Sequence, residues 1–256
     1  MRSRYWSSAA AVLLVSTLVG VGCGGARPDA FPDPGGPLDM HGRVVASTSA
    51  YTLELISFRG AGGRSVDAYL SVPRRSGRHP GVVFLTGSGG SMLDFVPIEL
   101  SFAEQGGVGL SIQQPNDATS WKPLVVNVRR ALDLLAARPD VDPQRLGVSG
   151  LSLGAETAAI VAGVDPRPHV FDLMSARGRP VVLHYLRYAH GDTFYVQNGR
   201  ADEVIPRPQL IRTIRAIEAL HARLRIRWYP TMHTLDQVAY QSAVDWLSAK
   251  LHAAHG

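Results

Sequence analysis

The sequence predicts one α/β domain, a mostly parallel sheet covered by helices on both faces, carried behind an N-terminal strip that is not part of the fold. Three observations lead there. The chain has 256 residues, 45% hydrophobic and 18% charged, enough apolar surface for one large core and too little for a multi-span membrane protein, while two substantial domains would be cramped. From Tyr51 onward, short β-rich runs alternate with stretches of helical period. The first two strand candidates are joined by a glycine turn and the later ones are separated by helices, the pattern of an antiparallel hairpin feeding a parallel sheet.

The N-terminal strip comes first. Arg2 and Arg4 precede Ala9 to Val21, a 13-residue stretch of mainly Ala, Val and Leu. That is the charged and apolar make-up of a secretory signal, and it falls short of the roughly 20 residues a membrane span needs. Residues 1–22 are therefore read as a signal peptide. Gly22-Cys23 follows, and Cys23 is the only cysteine, so no intrachain disulfide can form. A small residue before a single Cys at this point resembles the lipobox of bacterial lipoproteins, although Gly20 stands where Leu is usual. The resemblance implies lipidation of Cys23, an exported protein, and a membrane partner through that anchor at the periplasmic or outer surface of a bacterial envelope. Cleavage by an ordinary signal peptidase is the other reading. Residues 23–42 then read as the anchor cysteine and a flexible tether, because eight of the 17 positions from 24 to 40 are Gly or Pro.

Residues 43–256 form the expected domain. Tyr51 to Phe58 and Asp67 to Val72, separated by Gly60-Ala-Gly-Gly63, read as the hairpin. Gly81 to Leu85 is a continuous apolar run, as in a strand buried on both faces. Further strand candidates are Arg145 to Ser149, Val170 to Leu173, Thr193 to Gln197 and Leu224 to Trp228. Helical spacing marks Leu124 to Leu135, Leu210 to Leu220 and Tyr240 to Leu251. The excursion from Met174 to Gly191 has no room for a large cap domain. The formal charge is +5, and +3 without Arg2 and Arg4. The arginines are scattered singly or in pairs, which excludes a nucleic-acid footprint of clustered charge and reads as a solvated surface.

Gly150-Leu-Ser-Leu-Gly154 concentrates the chemistry. G-x-S-x-G is short enough to arise by chance in a chain with 26 glycines, so context decides. Here it follows a strand candidate and opens a small-residue helix, Ala155 to Ala162. A serine at the tip of such a turn needs a strained backbone, and Gly150 and Gly154 let strand and helix pass closely. The turn also presents the Leu153 amide toward a reacting oxyanion.

On these residues the sequence resembles the α/β-hydrolase superfamily and, within it, the dienelactone-hydrolase-like esterases, over nearly all of residues 51–251. The resemblance implies Ser152 as nucleophile and a second oxyanion amide in Leu85-Thr-Gly-Ser-Gly-Gly90, with Ser88 as donor. Thr86 stands where the family commonly has His. Gly199-Arg-Ala-Asp-Glu-Val-Ile-Pro206 resembles the family's acid loop, which makes Asp202 the orienting acid ahead of Glu203 and Asp192. The order Ser, Asp, His then selects His233 among nine histidines. His41 and His79 sit in expected loops, and His184 and His190 precede the acid. His221 falls on an expected helix, and His252 and His255 lie in the C-terminus. Neither H-E-x-x-H nor a cysteine cluster is present, so no metal or cofactor is expected. Met92, Leu93, Phe95 and Leu153 are either lining or core residues. The implied activity is carboxylic ester hydrolysis of small-molecule substrates. The alternatives are an acyl-CoA thioesterase or acyltransferase, and a catalytically silent lipid-anchored interaction protein.

Overall fold

The computed structural model describes residues 26–32, 35–115 and 120–253. The signal segment 1–22 and Cys23 lie outside them. Nine strands form one sheet: β1 (His41–Ser47), β2 (Tyr51–Arg59), β3 (Ser65–Pro73), β4 (His79–Leu85), β5 (Val108–Ile112), β6 (Val141–Leu151), β7 (Pro168–Met174), β8 (Thr193–Gly199) and β9 (Arg223–Tyr229), in the order β1-β2-β3-β5-β4-β6-β7-β8-β9. The first three strands and the β3–β5 pair are antiparallel, and every pair from β5 to β9 is parallel. Six helices cover it: α1 (Val96–Glu104), α2 (Trp121–Ala137), α3 (Leu153–Val164), α4 (Pro180–Leu186), α5 (Arg207–Glu218) and α6 (Gln237–His252). This is the α/β-hydrolase-like arrangement expected, and among the described residues the excursion between β7 and β8 holds the one short helix α4.

The central strand explains the two-sided core. All seven residues of β4 are buried. Val83 and Leu85 join the core beneath α2 and α3, while Val82 and Phe84 join the one beneath α1 and α6. Side chains alternate across a strand, so a run apolar at both parities needs a helix layer on each face. The expected strands and helices all appear, most of them longer by a few residues at one or both ends, while α5 ends at Glu218, two residues short of Leu220.

Several expectations change. The hairpin is a three-stranded antiparallel flap, because β1 pairs on β2 with a bulge at Val45. The domain therefore starts before residue 43. Residues 26–32 and 35–42, read as tether, are laid along the body. Phe31 is buried against Tyr185, with ring centroids 5.0 Å apart, and Arg27 pairs with the buried Asp192 at 2.9 Å. Arg130 donates to the carbonyls of Gly36 and Pro37 at 3.0 and 3.2 Å. One aromatic ring and three arginine-anchored contacts supply the burial that composition alone did not reveal. His79 is the buried first residue of β4, its ring nitrogens bonded to the carbonyls of Gly106 and Arg75. His221 lies past the end of α5 in a left-handed turn.

Candidate active site

Parallel strands bring their C-terminal ends to one rim, and the sequence-selected residues lie along it. Leu85 of β4 is in register with Gly150 of β6, so the glycine turn after β4 stands beside the turn after β6. Ser152 occupies the tip of that second turn, at φ +54° and ψ −115°, and caps α3. A non-glycine residue there is strained by roughly 1–3 kcal/mol and persists only where the surroundings impose it. The surroundings are tight. A Cβ on Gly150 would lie 2.4 Å from the Gly154 carbonyl carbon, and one on Gly154 would lie 2.3 Å from the Leu85 oxygen. The Ser152 amide donates to the Met174 carbonyl at the end of β7, at 2.8 Å.

Asp202 follows β8 in a compact turn in which its Oδ1 accepts from the amides of Val204 and Ile205, at 3.0 and 2.7 Å. Its Oδ2 lies 2.9 Å from His233 Nδ1, and the two side chains are 2% and 14% exposed. That contact assigns the Nδ1 proton and leaves Nε2 as the free basic nitrogen. His233 is steadied from two more sides. Its amide donates to Glu203 Oε2 at 2.9 Å, and its carbonyl accepts from Ser175 Oγ at 3.3 Å. Ser175 is fully buried at φ +51° and directly follows Met174, the residue bonded to Ser152. The segment Met174-Ser175 thus touches the Ser152 turn on one side and the histidine loop on the other.

The glycine turn completes the rim. Gly87 lies against Ser152, since a Cβ there would be 3.3 Å from the serine Cβ. Among the described residues neither the Ser88 amide nor the Leu153 amide has a protein acceptor; Leu153 opens α3, whose first amides have no intrahelical partner. In place of a histidine, Gln113 supports the turn. Its Oε1 accepts from Met92 N at 3.1 Å and its Nε2 donates to the Gly90 carbonyl at 3.3 Å. Ser91 and Asp94 form a capping box over the short 3₁₀ turn Met92–Phe95. Phe95 and Leu153 are buried, whereas Leu93 is exposed.

Two buried carboxyls back the rim. Asp172, on β7, accepts from Ser149 Oγ at 2.8 Å and Gln197 Nε2 at 2.7 Å, and burial raises its pKa to about 7. Glu156, in the first turn of α3, is raised to about 7 by burial, an effect reduced by Arg179 at 2.7 Å and by Arg177. Neither was visible in the sequence, and neither was Ser175. A serine directly after a buried strand in a βα unit is the one trace Ser175 leaves there. Of the other acids weighed, Glu203 contacts the His233 backbone, and Asp192 binds Arg27 at the opposite end of the sheet. Among the described residues no cluster of three metal-ligating side chains occurs.

Comparison with known proteins speaks to the family and the fold. The family model described as "Dienelactone hydrolase family" matches residues 111–244, a little over half of the chain. No curated protein matches the sequence. Among solved structures, acetyl xylan esterase 1 from Thermoanaerobacterium sp. JW/SL YS485 superposes with a TM-score of 0.69 at 14% identity, covering 86% of this chain and 89% of that one. A cold-adapted esterase from an Arctic intertidal metagenomic library gives 0.67 at 16% identity, over 82% and 97%. The acetyl xylan esterase from Paenibacillus sp. R4 gives 0.65 at 17% identity, over 84% and 89%. At these identities the likeness is one of fold.

Proposed function

The chain belongs to the dienelactone hydrolase family, and on that premise we propose that it is a serine hydrolase that cleaves carboxylic esters through an acyl-enzyme. Ser152 Oγ attacks the acyl carbonyl while His233 Nε2 takes its proton. Asp202 holds the imidazole in the tautomer that leaves Nε2 free and stabilises the imidazolium that forms. The amides of Ser88 and Leu153 receive the oxyanion of the tetrahedral intermediate. His233 then returns the proton to the leaving alcohol, and water activated by the same ring releases the acid. The reaction as written uses only these side chains and amides.

The observation that carries the reading is the Asp202–His233 contact at 2.9 Å, on the same rim as a serine held at positive φ, with β7 between the serine's strand and the aspartate's. Strain at an otherwise ordinary serine, beside two amides without acceptors, favours turnover over a silent scaffold. The excursion between β7 and β8 is only the short helix α4, so the site is open, and short or flexible acyl groups suit it best. Export, with attachment through a lipid on Cys23, belongs to the same proposal; metabolic fatty-acid labelling that disappears in Cys23→Ala checks it.

The test is hydrolysis of p-nitrophenyl esters of graded acyl length. Ser152→Ala is expected to lower kcat by about 10⁴-fold or more while the protein stays folded. An active Ser152→Ala variant would falsify the assignment, and transfer to an amine or to coenzyme A in preference to water would turn it into an acyltransferase.

A further inference from the structure

The two ends of the sheet differ in charge. The rim that carries Ser152 exposes Asp94, Glu203 and Asp236 beside Lys122, Arg200 and Arg207, three charges of each sign. The opposite end, where the parallel strands begin and α1 and α6 finish, exposes Arg74, Arg75, Arg78, Arg223 and Lys250, against Glu104, Glu218 and Asp245. Asp245 is already engaged by Gln105 and Gln241, at 2.8 and 2.9 Å. These cations were scattered in the sequence, and the fold collects them.

They form one surface. Arg75 Nη1 and His252 Nε2 lie side by side at Gly106. Two shallow depressions that share Asp245 and Ala249, of about 500 and 930 Å³, join Arg75 and His252 to Lys250 and Arg223. Arg223 is in register with Thr193, the neighbour of Asp192, and Asp192 holds Arg27. The N-terminal strip therefore begins at this same edge. Upstream of Arg27 the sequence contains Cys23 and the apolar stretch 9–21. From Cys23 to Arg27 the chain can span at most about 14 Å.

We propose that this edge docks on an anionic phospholipid bilayer, with the catalytic rim facing away from it. Charge complementarity and the departure point of the chain select the same surface. A single short apolar attachment holds a protein at a membrane only marginally, and a basic patch is the second signal that fixes it. The attraction acts within a Debye length of the headgroups, so it requires this edge to lie close to them. The seven residues of β7 then place Ser152 about 20 Å above the contact surface. On the esterase reading, to which this last consequence alone is tied, the substrates are soluble or polymer-borne esters that arrive from the aqueous side, and bilayer lipids are not reached.

The full chain, incorporated into vesicles through its own N-terminal segment, tests this. With the thiol of Cys23 taken up by the lipid, a fluorophore is placed at Ser76→Cys on the edge or at Leu93→Cys on the rim, both exposed, and lipids with nitroxide headgroups act as quencher. In phosphatidylglycerol-containing vesicles at low salt, the edge label is expected to be quenched at least about threefold more than the rim label. The difference should vanish in pure phosphatidylcholine, in high salt, and in the Arg74→Glu/Arg75→Glu/Arg78→Glu variant, which should still hydrolyse soluble esters at the native rate. Equal quenching of the two labels, stronger quenching at the rim, or edge quenching that survives charge reversal overturns the proposal. Edge-selective quenching in a chain without esterase activity would leave the docking standing and sink the catalytic reading instead.

Discussion

The turn that carries Ser152 and the loop that carries His233 lie on the same rim of the sheet, yet they are built by different means. The serine turn is fixed by backbone packing. Gly150 and Gly154 have no room for a methyl group, and the bond that ties Ser152 N to the Met174 carbonyl is main chain to main chain. The histidine loop also rests on the main chain, through the Ala201 amide and the Thr231 carbonyl at 3.0 Å, but His233 itself is fixed by polar side chains, Asp202 on the ring, Glu203 on the amide and Ser175 on the carbonyl. The first kind of construction breaks as a unit, because the close-packed backbone has nowhere to relax. The second weakens by steps, one hydrogen bond at a time.

The sharpest break in that contrast is Gly154→Ala. Its Cβ would sit 2.3 Å from a backbone oxygen of β4, so loss of cooperative folding, or destabilisation by about 4 kcal/mol or more, is expected in thermal and urea melts. On the other side, Asp202→Asn should leave the melting curve nearly unchanged and lower kcat by about 10³–10⁴-fold, because an amide facing Nδ1 favours the wrong tautomer. Were the two variants to exchange these signatures, the contrast would be wrong.

Asp172 lies beneath both constructions, bonded to Ser149 just before the serine turn and to Gln197 on β8. Its folded pKa of about 7 lies above the ordinary value of 3.8 because the group is buried. The native state therefore keeps a proton that the unfolded chain gives up. Its contribution to stability is fully present below pH 3.8, declines as pH rises toward 7, and then levels off at its lowest value. Asp172→Asn should flatten that slope in urea melts run from pH 4 to pH 8; an unchanged slope would show that the carboxyl is ionised in the fold. The smallest effect belongs to Ser175→Ala. Losing one hydrogen bond to the His233 carbonyl should lower kcat by about tenfold with little change in KM, and Ser175→Thr should restore part of it. A change confined to the melting temperature would make Ser175 merely structural.

The same contrast governs what the sequence revealed. The serine turn is encoded in five consecutive residues, so it could be read locally, down to the glycines that permit it. The strands at 81–85 and 193–197 and the helices at 124–135 and 240–251 were legible because burial imposes a period that needs no partner to be seen. Asp202 and His233 were reached through chain order and a resemblance, since 31 positions separate two side chains that meet only in the fold. β5 went unseen because Val-Gly-Leu-Ser-Ile is short and broken by Gly109, whose bare backbone makes room for Glu99 of α1. Burial raises that glutamate to a pKa of about 8, and no local pattern marks it. The strip from 26 to 42 misled for the opposite reason. Its Gly and Pro content is that of a linker, and only in the fold do Phe31 over Tyr185 and the bonds of Arg27 and Arg130 give it a place to lie.

The account stands on Ser152, His233 and the two amides acting on one carbonyl group. A crystal structure of the protein after treatment with a fluorophosphonate tests this most directly. The expected result is a single phosphonyl adduct on Ser152 Oγ, with the phosphoryl oxygen about 2.7–3.1 Å from the amides of Ser88 and Leu153 and His233 Nε2 turned toward the ester oxygen. An adduct on another serine, or one on Ser152 whose phosphoryl oxygen points into solvent away from both amides, would contradict it.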